Sequence, residues 1–156
     1  MKKHCLALLL GASTLFAAVS ANATMTQTVL SSSDTDKLIN AAIEKAHSLN
    51  ANVCVAVVDQ SGLLLNFKRM DNAPVGCIDA SILKARAAAL YRTPTDKYMD
   101  RANGKEPAIM TLPGQVPLGG GSPVEYQGHV IGAVGASGSL NPNEIAIAKA
   151  SSDSFK

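Results

Sequence analysis

The sequence predicts an α+β domain in which helices pack against an antiparallel sheet. Two pairs of short β-rich runs are each joined by a turn-forming cluster, as in β-hairpins. Segments with apolar residues at helical spacing precede, separate and follow these pairs. Because amphipathic helices need an apolar surface to cover, this order of elements favours a sheet with packed helices.

Residues 1–23 have the features of a secretory signal peptide. Two lysines lie among the first five residues, Leu6–Val19 is apolar apart from two hydroxyl residues, and Ala21-Asn22-Ala23 matches a cleavage site. The apolar run of 14 residues is shorter than the roughly 20 needed to cross a bilayer. We therefore expect export to the periplasm, with secretion to the medium as the alternative.

The chain that remains after this removal has the size of one domain. Removing 23 of the 156 residues leaves 133, with a polar, flexible arm at 24–32 and a domain at 33–156. Loss of Lys2 and Lys3 reduces the 14 Lys and Arg residues to 12, equal to the 12 Asp and Glu residues. A neutral chain without a basic stripe argues against nucleic-acid binding, and no other segment is long enough to span a membrane.

Helical periodicity predicts four helices. The first and the last begin with capping patterns, Ser33 with Asp36 and Asn141 with Glu144. The third begins at Thr93-Pro94, because proline is favoured at the first helical position. The helices are predicted at about 33–50, 76–90, 93–103 and from 141 onward.

Four β-rich runs form the two predicted hairpins. Their turns are the clusters at 59–62 and 127–129. Between the hairpins, residues 105–123 are irregular, and irregular segments of this length inside a domain are often functional. The strands are predicted at 53–58, 63–70, 124–126 and 130–136.

The sequence carries no recognisable catalytic or metal motif. Ser137 lacks the Gly-x-Ser-x-Gly spacing of a nucleophile elbow, and no Gly-Lys-Ser/Thr follows the glycine run at 119–121. That run either supplies unusual backbone angles or lets a flat ligand approach the main chain. The cysteine and histidine spacings do not match a structural zinc site. This pattern favours binding over catalysis, without deciding the question of an enzyme.

Basic residues near one end of the second strand are candidates for binding a cofactor. Arg69, Lys84 and Arg86 could hold carboxylates such as porphyrin propionates through charge-assisted hydrogen bonds. The alternative is ordinary surface charge, with Arg69 paired to Asp71 or Lys84 to Asp79.

Two histidines and two cysteines are the remaining candidates. His47 and His129 are either solvated side chains or ligands of a haem iron, since neutral imidazole is a common ligand. Cys54 and Cys77 either form a disulfide after export or leave Cys54 as a buried free thiol.

Six sequence blocks together resemble the GlcG/HbpS family. The resemblance covers about residues 34–155, and the order of the blocks makes it specific. The blocks are Val55–Asp59 with Gly62, Arg69–Asp71 with Ala73, Lys84–Arg86 with Ala88, and residues 112–114, 120–124 and 132–138.

The resemblance implies a profilin-like fold, with a five-stranded antiparallel sheet between helices on both faces. It further implies homo-oligomers and haem binding, sometimes beside a sensor or transport protein. We therefore expect an exported haem-binding protein acting in haem capture, storage or sensing. The alternatives are a haem-degrading enzyme and a module for cobalamin or another small molecule. The family motifs do not specify the iron ligand, so His47 and His129 remain candidates from the residues alone.

Overall fold

The computed structural model describes residues 26–155, so the predicted signal peptide at 1–23 lies outside the described residues. The helices are α1 (Ser32–Ser48), α2 (Cys77–Tyr91), α3 (Thr95–Asn103) and α4 (Asn141–Asp153), with a 3-10 helix at Pro107–Thr111. The strands are β1 (Cys54–Asp59), β2 (Leu64–Arg69), β3 (Gly121–Tyr126) and β4 (His129–Ser137).

The four strands form one antiparallel sheet in the order β2-β1-β4-β3. The two predicted hairpins supply these strands, and β1 joins the hairpins by pairing with β4. The α+β class and the antiparallel sheet are confirmed. The expected fifth strand is not found within residues 26–155, where the remaining apolar segments have helical spacing and form helices.

Helices cover both faces of the sheet. Val55 and Val57 of β1 pack in one core cluster with residues of α1 and α4. Ala56 and Val58, which point to the opposite face, pack in a second cluster with the alanines of α2. Gly135 of β4 lets α2 lie close, because a Cβ there would come within 2.6 Å of the Ala85 backbone nitrogen.

The first helix begins earlier than its sequence predicts. Ser31 is its N-cap, and the Ser31 and Asp34 side chains form a reciprocal capping box. Leu30 is buried in the core. The last residues of the predicted arm at 24–32 are therefore part of the folded domain.

The segment predicted to be irregular, 105–123, contains two regular elements. A 3-10 helix occupies part of it, and β3 begins at Gly121, where Gly121 pairs with Gly135 of β4. The β3–β4 turn has positive φ angles at Gln127 (49°) and Gly128 (78°), as a tight two-residue hairpin turn requires. No helix within residues 26–155 combines the length and apolarity needed to cross a membrane.

Candidate functional site

A groove at one end of the sheet brings two of the candidate residues together. His47 and Arg69 both line it, and we call it the His47 groove. Its volume is about 380 Å³. The other lining residues are Ile43, Asn52, Lys68, Met70, Asp71 and Asn72.

The groove is built from the end of α1, the end of β2 and the turn after β2. The last turn of α1 presents His47, and the side chain is exposed. The Arg69 guanidinium donates from Nε (3.2 Å) and Nη2 (2.7 Å) to the Ala73 carbonyl oxygen. Arg69 therefore fixes the turn that forms one wall, instead of pairing with Asp71 as one reading of the sequence proposed.

His129 lies in a different cavity at the other end of the sheet. Arg69 pairs with Cys54 at the start of β1, whereas Asp59 at the end of β1 pairs with Gly132, and His129 lies beyond Gly132 on β4. A six-residue strand is about 20 Å long. The two imidazoles of one chain therefore cannot ligate the same iron.

The cavity at His129 has a volume of about 520 Å³. His129, Tyr126 and Ile131 line it, and Arg92 is the one Lys or Arg side chain that residues 26–155 contribute to its lining.

Lys84 is not a surface cation, and this corrects both readings of it from the sequence. Its side chain is 3 % exposed, and its ammonium donates to Glu144 Oε2 at 2.7 Å rather than pairing with Asp79. Arg86 lies on the exposed side of α2, where a Cβ added at Gly62 would lie 2.8 Å from its Cγ. The predicted cluster of Arg69, Lys84 and Arg86 therefore does not exist as one basic patch.

The Lys84–Glu144 pair joins helices on opposite faces of the sheet. Glu144 Oε1 also accepts hydrogen bonds from the backbone amides of Gly138 (2.7 Å) and Ser139 (3.1 Å). Glu144 therefore does not complete a capping box on α4, and the N-cap Leu140 has no side-chain hydrogen bond. The buried ammonium and the buried carboxylate neutralise each other's charge. Either group buried without its partner would be strongly destabilising.

The glycine run leaves space for this ion pair. Gly120 has a φ of +114°, and a Cβ there would lie 2.6 Å from the Ala136 carbonyl oxygen and 3.3 Å from Lys84 Nζ. The sequence allows two roles for residues 119–121, unusual backbone angles or the close approach of a ligand. At Gly120, the positive φ and the close packing of the protein's own atoms require a glycine.

Cys54 and Cys77 form a disulfide between the first residues of β1 and α2. Both cysteines pack with Ala73, the residue whose carbonyl accepts from Arg69. The disulfide therefore lies directly behind the turn that lines the His47 groove.

A cavity larger than the two described above contains none of the candidate histidines, cysteines or basic residues, although Gly120 and Gly121 of the glycine run line it. It has a volume of about 660 Å³ and lies between β3, the start of α3 and α4. Its charged lining residues are Asp96, Lys97, Glu125, Lys149 and Asp153. Across residues 26–155, no cluster of three or more His, Cys, Asp and Glu side chains could hold a metal ion.

Sequence reasoning did not single out Lys68, which lines the groove, or the partner of Lys84. Lys68 directly precedes the motif Arg69-Met70-Asp71, so extending that motif by one residue would have found it. The sequence also indicates that Lys84 is buried. Lys84 lies at helical spacing from Cys77, Ser81 and Ala88, which form a buried stripe on α2.

A family model described as "Haem degrading protein HbpS-like" matches residues 30–153. The chain belongs to the HbpS-like family. This confirms the resemblance to GlcG and HbpS, and the match begins at Leu30, the first buried residue of the described chain.

Relatives of known sequence and structure agree with this assignment. The Escherichia coli K12 protein GlcG is 41% identical over 113 residues, covering 72% of this chain and 84% of GlcG. The crystal structure of a double mutant of HbpS from Streptomyces reticuli has a TM-score of 0.79 at 27% identity, covering 92% of this chain and 99% of that one. The crystal structure of a complex of PduOC with haem has a TM-score of 0.73 at 27% identity, covering 83% and 96%.

Proposed function

We propose that this HbpS-like chain binds haem in the His47 groove. Two comparisons support the ligand: the description of the family, and the haem complex of the structurally similar PduOC. The observation that carries the location is that the groove combines an imidazole, two cations and apolar side chains.

The residues of the groove fit the chemistry of haem. His47 offers an imidazole nitrogen, which is a common axial ligand of haem iron. Lys68 and Arg69 offer positive charge to the two propionates, and Arg69 keeps Nη1 free because only Nε and Nη2 bind Ala73. Bound haem would supply the iron centre of the site.

The cavity at His129 fits haem less well. It has an imidazole and an aromatic ring, but Arg92 is the one Lys or Arg residue in its lining as described. Two propionates would therefore have one cationic partner instead of two. His129 serves as the matched comparison for His47, since both side chains are exposed and their removal leaves the core unchanged.

A spectroscopic titration tests the proposal. Purified residues 24–156 are titrated with hemin, and we expect a saturable Soret shift. His47→Ala should weaken hemin binding and change the spectrum, whereas His129→Ala should keep the affinity and the spectrum of the wild type. Absence of saturable binding would remove the haem proposal, and loss of binding in His129→Ala alone would move the site to the other end of the sheet.

We further propose that the chain works in the periplasm, in haem capture, storage or sensing, with secretion to the medium as the alternative. The signal-peptide features of residues 1–23 support export. Cell fractionation followed by mass spectrometry should find a chain beginning at Thr24 in the periplasm. Affinity capture with the haem-loaded chain would then identify a sensor or transport partner.

A haem-degrading activity is the second candidate, because the matching family carries that description. The haem-loaded chain is incubated with a reductant and oxygen, with and without catalase. Loss of the Soret band that persists with catalase would support an enzyme. Loss that catalase prevents is non-enzymatic oxidation by peroxide and would leave binding as the function.

Cobalamin is the alternative ligand for the same groove. Adding cobalamin in excess to the haem complex should leave the Soret band unchanged if the groove selects haem. Displacement of haem by cobalamin would instead support a corrinoid module.

We also propose that the chain forms homo-oligomers. Leucines are exposed on β2, on the turn before it and on the adjacent helix α2, and exposed apolar patches often mark protein interfaces. Light scattering of the purified chain should give a mass that is a multiple of the monomer. The exposed leucines are Leu63 (62%), Leu64 (49%), Leu65 (44%), Leu83 (47%) and Leu90 (44%).

A further inference from the structure

We propose that the Cys54–Cys77 disulfide controls the affinity of the His47 groove for haem. Oxidation of the two thiols would fix the wall of the groove, so that strong binding begins only in an oxidising compartment. This inference rests on the haem-binding function proposed above.

The disulfide closes the segment that forms the groove wall. Residues 70–76 connect β2 to α2, and Met70, Asp71 and Asn72 of this segment line the groove. At one end, Met70 donates its backbone amide to the Val53 carbonyl, beside Cys54. At the other end, Cys77 is bonded covalently to Cys54. Both ends of the segment are therefore held at neighbouring residues, Val53 and Cys54, at the start of β1.

Ala73 transmits the state of the disulfide to a residue that would bind haem. It is buried in a small cluster with the two cysteines, and its carbonyl oxygen accepts both hydrogen bonds of Arg69. Two unbonded sulfur atoms cannot approach as closely as bonded ones, so the reduced pair must separate within this cluster. The position of Ala73, and with it that of the Arg69 guanidinium, then becomes less fixed.

The first turn of α2 is held by backbone hydrogen bonds, from the Cys77 amide to the Pro74 carbonyl and from the Ile78 amide to the Val75 carbonyl, without a capping side chain. Its N-cap is Gly76, which provides no side-chain hydrogen bond to the first turn. A helix start without a capping side chain frays more easily. The disulfide at Cys77, the first residue of α2, links this helix start covalently to β1.

The chemistry needs an external disulfide as the oxidant. A thiolate of one cysteine attacks that disulfide and releases one thiol, and the second cysteine then displaces the other thiol. The chain loses two protons and two electrons, and the external disulfide is reduced to two thiols. Such oxidants act in the periplasm and outside the cell, whereas cytosolic thiols remain reduced. A chain that has not been exported would therefore bind haem weakly.

Comparison of the oxidised chain with a chain lacking the disulfide tests this inference. Hemin is titrated into oxidised wild type, wild type reduced with a phosphine, and the variant Cys54→Ala/Cys77→Ala. We expect hemin affinity to fall about tenfold when the disulfide is absent. By reciprocity, saturating hemin should then lower the reduction potential of the pair by about 30 mV.

Two controls separate this effect from a general loss of stability. Thr95→Val removes the hydroxyl that bonds the Leu118 carbonyl and the Gly121 amide, away from the groove, and should leave the hemin affinity unchanged. Hydrogen exchange in the absence of hemin should be faster at residues 70–76 when the disulfide is missing, with little change at β4.

Equal hemin affinities with and without the disulfide would overturn the inference and leave haem binding intact. An equal loss of affinity in Thr95→Val would also overturn it, as would unfolding of both disulfide-free forms. If no form binds hemin, the proposed function itself is wrong.

Discussion

Arg69 and Lys84 carry the same charge, but Lys84 stabilises the fold and Arg69 lines the candidate site. The Lys84 ammonium is buried and paired with Glu144, so it contributes to the fold and is not accessible to a ligand. Arg69 is exposed and uses only part of its guanidinium to hold Ala73. The number of donors on the guanidinium allows this double use, because it has five N–H groups in a fixed geometry.

Replacing Arg69 with methionine should weaken hemin binding about tenfold, since a hydrogen bond to a charged group contributes about 1.5–3 kcal/mol. The variant loses the contact to a propionate and loosens the turn at Ala73. Arg86→Met is the matched control, because Arg86 is exposed on α2 and does not line the groove. Hemin titration measures the affinity of each variant. Equal affinities in the two variants would contradict the role of Arg69.

Replacing Lys84 with methionine should lower the free energy of unfolding by about 3–5 kcal/mol, because it leaves a buried carboxylate without its counter-charge. Glu144→Gln in the same chain should recover much of this loss. The neutral amide keeps an oxygen to accept from Gly138 and Ser139. Urea unfolding of the single and double variants measures both effects. A double variant no more stable than Lys84→Met would show that the buried charge is not the cause.

At the scale of elements, the sequence patterns predicted the existence of each α-helix and each strand, whereas the exact starts of these elements depended on tertiary contacts. Ser31 with Asp34 and Ser33 with Asp36 have the same spacing, so the local pattern allows either pair to cap α1. Burial of Leu30 in the core brings the chain into position for Ser31 to be the cap. That contact is long-range and has no local signature.

The cap of α1 makes a pH-dependent prediction. The hydrogen bonds from Ser31, first from its side chain and then from its backbone, lower the pKa of Asp34 below the usual value of an aspartate. The ionised form is therefore favoured in the folded chain, and its stabilising effect is present above about pH 4. It is lost as the pH falls through the lowered pKa.

Ser31→Ala should raise the pKa of Asp34 towards its usual value and reduce stability by about 1 kcal/mol. NMR titration of the Asp34 carboxyl and urea unfolding measure the two effects. Ser33→Ala is the matched control, and a larger effect there would place the cap at the residue predicted from the sequence.

Across the whole molecule, the features that shape the candidate site join residues that are distant in sequence. Lys84 and Glu144 are 60 positions apart, and Cys54 and Cys77 are 23 apart. Sequence patterns identified the histidines, Arg69 and the cysteines as candidates, but could not show which of them share a surface. The register of β1 decides this, because its first residue pairs with Arg69 of the His47 groove, whereas its last residue pairs with Gly132, beyond which His129 lies.

The disulfide leads to the last prediction, which concerns the stability of the whole domain. It links residues 23 positions apart and so removes conformational freedom from the unfolded chain, worth roughly 3 kcal/mol by the loop-entropy relation. Cys54→Ala/Cys77→Ala should lose about this amount in urea unfolding. Adding a reductant should bring the wild type close to the variant and leave the variant unchanged. A variant as stable as the oxidised wild type would mean that the disulfide does not stabilise the fold, and would limit its effect to the segment at 70–76.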